Sequence, residues 1–141
     1  MKYIILVSHG EFANGLKNAL SMLAGDRENL IACGLKDGKS ADEFALEFEA
    51  VVQKISLEDE VLLFGDLIGG SPLTTACNVL VEKGFGQNLR IVGGMNLPAI
   101  LSDLLSVDFM DLDMLKETAL SEGKNALAEF VLASVTEEED I

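Results

Sequence analysis

The 141-residue sequence predicts a doubly wound α/β domain: a mainly parallel sheet with helices on both faces. Short apolar runs recur at Tyr3 to Val7, Leu30 to Leu35, Val61 to Phe64 and Leu89 to Val92, without the polar alternation of a half-exposed strand. Amphipathic helical patterns separate them, joined by short loops. Strands that alternate with helices in this way form parallel sheets, because each crossover is right-handed.

The first run passes directly into Ser8-His9-Gly10, and a helical pattern follows through Phe12, Leu16, Leu20 and Leu23, with Gly25 as its stop. After the second strand, Asp37-Gly38 makes a turn. Ser40 and Glu43 then form an S-x-x-E capping box for a helix through Phe44, Phe48, Val51, Val52 and Ile55. The third strand leads into Gly65-Asp66-Leu67-Ile68-Gly69-Gly70-Ser71-Pro72. There Ser71 reads as an N-cap with Pro72 at the first helical position. Leu73, Cys77, Leu80 and Val81 give the next helix a buried side, ended by Gly84 and Gly86. The fourth strand is followed by Gly93-Gly94-Met95-Asn96-Leu97-Pro98, where Asn96 caps a helix carrying Ile100, Leu101, Leu104 and Leu105. A last helical pattern runs from Asp111 to about Ala133, weakened at Gly123. Residues 136–141 read as a frayed acidic tail.

Composition narrows the function. A hydrophobic content of 49% puts the chain in the folded class, and its length suits one domain, expected over 1–141. No apolar run approaches the roughly 20 residues that span a bilayer, and no signal peptide is recognisable, so a cytoplasmic protein is expected. The net charge of -14 argues against nucleic acid, whose phosphates require Lys and Arg. It could favour encounter with a basic protein, although solubility explains it equally well. Cys33 and Cys77 read as buried free thiols, and one histidine with two separated cysteines offers no metal site.

Open α/β sheets bind ligands beyond the carboxyl ends of their strands, at the point where the strand order reverses. In a flavodoxin-like order, 2-1-3-4, strands one and three are neighbours, which would bring Asp66 beside His9 and the Ser71 helix start within reach. A neutral imidazole is nucleophilic at one nitrogen while the other carries a proton. A carboxylate on the protonated nitrogen fixes that tautomer and stabilises positive charge developing on the ring. Gly69 and Gly70 allow close backbone approach, and the N–H groups of the helix start suit an anionic oxygen. A lone histidine at a strand end is more often structural. In company with Asp66 and the glycine loop it reads as a phosphoryl acceptor. Ser71 reads as a cap, with or without a phosphate contact, rather than a nucleophile.

At Ser8-His9-Gly10, Asp66 to Pro72 and Gly93 to Pro98, the sequence resembles the mannose-class (mannose/fructose/sorbose) IIA proteins of the phosphotransferase system. The resemblance covers nearly the whole chain. It implies that His9 takes a phosphoryl group from the phosphocarrier HPr and hands it to a IIB component. The membrane IIC/IID components are then involved only indirectly, and the protein is peripheral to the membrane at most. It implies attachment at the outward ring nitrogen, Asp66 on the inner one, loop contacts from Ser71, and Ser8, Gly10 and Asn96 in supporting positions. No metal or organic cofactor is implied. A homodimer exchanging a C-terminal strand is also implied; periodicity does not reveal that strand, and Phe130 to Val135 is where it is sought.

Three other readings stand beside this one. The phosphoryl-relay subunit of a dihydroxyacetone kinase shares the fold and the early histidine, but Gly69-Gly70-Ser71-Pro72 resembles the sugar-transport class better. A Ser-His-Asp hydrolase of Ser71, His9 and Asp66 lacks the G-x-S-x-G elbow, since Leu73 replaces the second glycine. A nucleotide or flavin module would require the G-x-G-x-x-G fingerprint, which the first turn lacks.

Overall fold

The computed structural model describes residues 1–133. In chain order the elements are β1 (Lys2–His9), α1 (Phe12–Ala24), β2 (Leu30–Leu35), α2 (Ala41–Val51), β3 (Glu60–Gly65), α3 (Ser71–Lys83), β4 (Leu89–Val92), α4 (Leu97–Ser106) and α5 (Leu112–Asn125). The strands form one sheet in the order β2-β1-β3-β4, all pairs parallel. The α/β class and the 2-1-3-4 order therefore stand as the sequence predicts.

β1 is where the two cores meet. Ile4, Ile5, Leu6 and Val7 are fully buried, each side chain contributing roughly 2 kcal/mol of apolar burial. Tyr3, Ile5 and Val7 pack with Phe44 and Phe48 of α2 and with Leu73, Ala76 and Leu80 of α3. Ile4 and Leu6 face Leu16 and Leu20 of α1, Ile100 and Leu104 of α4, and Leu115 and Ala119 of α5. Side chains alternate across a strand, so an uninterrupted apolar run is what a sheet covered on both faces requires.

Strand positions match the sequence reading closely, whereas helix faces and ends shift. α1 buries Ala13, Leu16 and Leu20 and leaves Phe12 and Leu23 exposed. Val51, Val81 and Leu105 also point outward. The capping box of α2 forms in full, Ser40 Oγ accepting the Glu43 N–H and the Glu43 carboxylate accepting the Ser40 N–H. The last helix stops at Asn125, short of the expected Ala133. Its apolar spacing continues, but Leu127 and Phe130 find no surface to cover and lie exposed. Packing, not periodicity, sustains a helix in water. Gly123 is no weak point: a Cβ there would sit 3.0 Å from the Ala99 Cβ, so the bare α-carbon lets α5 close on α4.

Phe130 to Ala133 form no strand; Ser134 and Val135, with the tail at 136–141, lie outside the described residues. Both cysteines are free, Cys33 buried and Cys77 half-buried. No helix among the described residues is long and apolar enough to cross a membrane. Asp103 of α4 is fully buried with neither carboxylate oxygen hydrogen-bonded, and burial pushes its carboxyl up to about 7.

Candidate functional site

β1 and β3 lie side by side with Val7 opposite Gly65, so His9 and Asp66 emerge together at the carboxyl edge of the sheet. His9 Nδ1 lies 2.9 Å from Asp66 Oδ2, and the same oxygen accepts the His9 main-chain N–H at 2.9 Å. Asp66 Oδ1 accepts the Leu67 N–H at 2.9 Å. The carboxylate is sunk, with 14% of its side chain exposed, while the imidazole above it is 49% exposed. Burial works to raise the Asp66 carboxyl, but hydrogen bonds from the His9 N–H, the His9 ring and the Leu67 N–H outweigh it and hold the group below the usual carboxylate value. The result is a half-buried anion beneath a half-exposed ring that is held through Nδ1.

Ser8 and Gly10 shape the turn around the histidine. Ser8 is buried and its Oγ accepts the Ala13 N–H at 2.7 Å, tying the first turn of α1 to the end of β1. Gly10 has φ +55°, a left-handed conformation that favours glycine, and its N–H donates to the Leu35 carbonyl at 2.8 Å.

The loop after β3 turns at Gly69, φ +81°, and enters α3 at Gly70. Here the structure corrects the sequence reading: Gly70, not Ser71, is the N-cap, and Ser71 opens the helix without a capping hydrogen bond. Gly70 suffices because its extended backbone already accepts the Thr74 N–H at its carbonyl. The exposed Ser71 hydroxyl is thereby left out of the helix framework. The N–H groups of Ser71 and Leu73 find no acceptor among the described residues, as the first turn of a helix leaves them. These groups, with the positive end of the helix dipole, suit an anion.

Asn96 does cap α4: its Oδ1 accepts the Ala99 N–H at 3.0 Å, and its Nδ2 donates to the Gly123 carbonyl at 3.0 Å. It makes no hydrogen bond to His9 or Asp66. The loop it ends supports the site from below instead. The Met95 N–H donates to the Gly65 carbonyl at 3.0 Å, just before Asp66. Ile68 presses on the bare α-carbon of Gly93, where a Cβ would collide with its side chain. Gly34 of β2 is a residue that the sequence reading passed over. It lies opposite Ser8, and a Cβ there would collide with the Gly10 carbonyl oxygen. A glycine inside a strand pattern was the available signal, since it marks a close approach of backbone. Among the described residues, no group of three or more His, Cys, Asp and Glu is placed to hold a metal ion.

The model of the family EIIA-man, described as the fructose IIA component of the phosphotransferase system (PTS), matches residues 3–120. The fructose-specific EIIA component of the PTS in Bacillus subtilis (strain 168) is 31% identical over 101 residues, covering 72% of this chain and 67% of that protein. The mannose-specific EIIAB component of Escherichia coli (strain K12) is 28% identical over 105 residues, covering 74% of this chain; the match spans about a third of that longer relative, 32%. Among solved structures, the EIIA component from Streptococcus agalactiae superposes with a TM-score of 0.80 over 92% of this chain and 98% of that one. At 24% identity that likeness speaks to the fold. On the family match and the fructose-specific relative together, the chain belongs to the mannose-class EIIA family, components of sugar phosphotransferase systems.

Proposed function

We propose that His9 is the phosphoryl carrier of this component, charged by phospho-HPr and discharged to a IIB partner during sugar uptake in the cytoplasm. The observation that supports this most directly is the Nδ1–Asp66 contact at 2.9 Å on a half-exposed ring. With its proton on Nδ1, the ring donates to Asp66 and keeps a lone pair at Nε2. That lone pair attacks the phosphorus of the donor phosphohistidine. The new N–P bond forms as the donor's N–P bond breaks, and the donor nitrogen keeps the electron pair. The ring of His9 gains positive charge in this step, which the ionised Asp66 stabilises. In this reading the first-turn N–H groups of α3 and the Ser71 hydroxyl receive the phosphoryl oxygens.

Exposed apolar side chains flank the histidine in sequence and across the loop: Phe12, Leu67 and Ile68. An apolar collar around a reacting group is what brief docking of two carriers requires, since each transfer buries the site and must then release it. The acidic balance of the chain suits a basic donor. The homodimer belongs to the same proposal. Leu127, Phe130 and Val131 are exposed apolar residues following α5, and among the described residues β4 pairs on one side only. Light scattering on the full chain and on a chain ending at Asn125 tests that part.

The direct test is phosphoryl transfer from phosphoenolpyruvate through enzyme I and HPr, on the wild type and His9→Ala. Acid-labile, alkali-stable label on the wild type and none on the variant supports the carrier. HPr labelled while the wild type stays unlabelled overturns it and leads to dihydroxyacetone kinase subunits as partners.

A further inference from the structure

Two glycines close on the turn that carries His9, Gly34 against Gly10 and Gly70 against the imidazole, and neither contributes a group that could react. Gly34 lies against the residue that follows the histidine: the Gly10 carbonyl oxygen occupies the space a Cβ would take. Gly70 lies beside the ring itself, where a Cβ would stand 3.0 Å from His9 Cε1. The carbon so flanked lies between the two ring nitrogens. We propose that Gly34 and Gly70 are positioning residues for phosphoryl transfer: their missing side chains form the seat that holds the His9 imidazole on Asp66 through Nδ1.

The proposal rests on the carrier reading of His9 and deepens it. Asp66 can fix the ring only if main chain and imidazole arrive together, because one oxygen, Oδ2, serves both the His9 N–H and Nδ1. The main-chain half depends on how the turn after β1 folds. Gly34 allows that turn to lie flat against β2, where the Gly10 N–H reaches the Leu35 carbonyl. The ring half depends on what stands against Cε1. A methyl group on Gly70 would force the imidazole to give by a few tenths of an ångström, enough to disturb its alignment on Asp66. Gly70 itself needs no left-handed conformation, with φ −78° and ψ 154°, so its lack of a side chain answers to the ring and not to its own backbone.

The test uses Gly34→Ala and Gly70→Ala, each alone and combined with Asp66→Ala, which removes the acceptor oxygen that Asn would keep. Transfer from phospho-HPr is timed in a quenched-flow experiment. Expected is a loss of about tenfold or more for Gly34→Ala and a smaller loss for Gly70→Ala, in keeping with the price of misplacing a reacting atom. In the Asp66→Ala background both losses should largely vanish, because a ring without that acceptor has no alignment left to lose. His9 is the chain's only histidine, so its ring signals in an NMR titration are unambiguous. They should move in each glycine variant while the melting temperature of Gly70→Ala stays close to wild type.

Equal losses in both backgrounds, unchanged ring signals, or full activity in both variants overturn the seat. Should Gly34→Ala fail to fold, Gly70→Ala carries the test alone, since its backbone accepts alanine. A wild type that takes no label defeats the carrier reading, while the ring signals still decide whether the seat exists.

Discussion

Asp66 Oδ2 stands 2.9 Å from the main-chain nitrogen of His9 and 2.9 Å from its Nδ1. A single carboxylate oxygen therefore grips both the backbone and the ring of one residue. That fixes the imidazole's position and its rotation at once, and it favours one tautomer. Asp66→Asn keeps the shape but removes the charge. Phosphoryl acceptance should fall roughly 10²-fold or more, as happens when a group orienting and electrostatically supporting a reacting imidazole is lost. Rapid-quench transfer from phospho-HPr measures it. Retention of wild-type rates would show that the carboxylate is structural.

The same carboxylate links stability to acid. Its folded-state pKa is held below the ordinary value, so its contribution is present above the unfolded value and disappears as pH falls through the depressed one. The stability difference between wild type and Asp66→Asn should accordingly shrink below about pH 4. Urea unfolding at several pH values would reveal a constant difference if this linkage were absent.

Asp103 gives the opposite sign. Its carboxyl is raised from 3.8 to about 7 by burial, so the folded state holds a proton that the unfolded chain releases. Stability should decline as pH rises from about 4 to about 7, by a few kcal/mol in all, and level off above that. Asp103→Asn removes the titration and should flatten this part of the profile. A wild-type profile that is already flat there would mean that the carboxylate is paired or hydrated in solution.

Asn96→Ala removes a helix cap and the bond to the Gly123 carbonyl in one step. A loss of about 1–2 kcal/mol is expected from the cap, with more from the stranded carbonyl. Denaturant unfolding measures the loss, and the transfer rate of the folded fraction should change little.

Ser71→Ala separates two roles that the sequence left entangled. With Gly70 as the N-cap, stability should change by no more than about 0.5 kcal/mol. Transfer should slow about tenfold, the worth of one hydrogen bond to a charged group. A stability loss without a rate effect would reverse this assignment.

Much of the architecture was readable because parallel strands buried on both faces leave an unmistakable record, as at Tyr3 to Val7. His9, Asp66 and the turn at Gly69 followed from where such strands end. The helices were read less well. Phe12 and Leu23 share the spacing of Leu16 and Leu20, yet only the latter two lie over the sheet, and spacing alone carries no information on which side the neighbours stand. α5 was overextended for the same reason. Gly34, Gly70 and Gly93 were hardest to interpret, because a glycine's contribution here is space, and the atom that fills that space comes from elsewhere in the chain. For Gly34 it is the Gly10 carbonyl, for Gly93 the Ile68 side chain.

β1 crosses the sheet from Lys2 to His9, about 23 Å at the usual rise per residue. Its start is pinned at the far edge, where the Met1 amino group pairs with Asp59 at 3.0 Å. A biosensor surface or affinity handle joined ahead of Met1 would therefore hold the molecule by the end opposite its histidine. Captured that way, every copy would offer His9, Phe12 and Ile68 to whatever flows past, whereas random coupling through lysines would scatter the orientations and blunt the measured affinity.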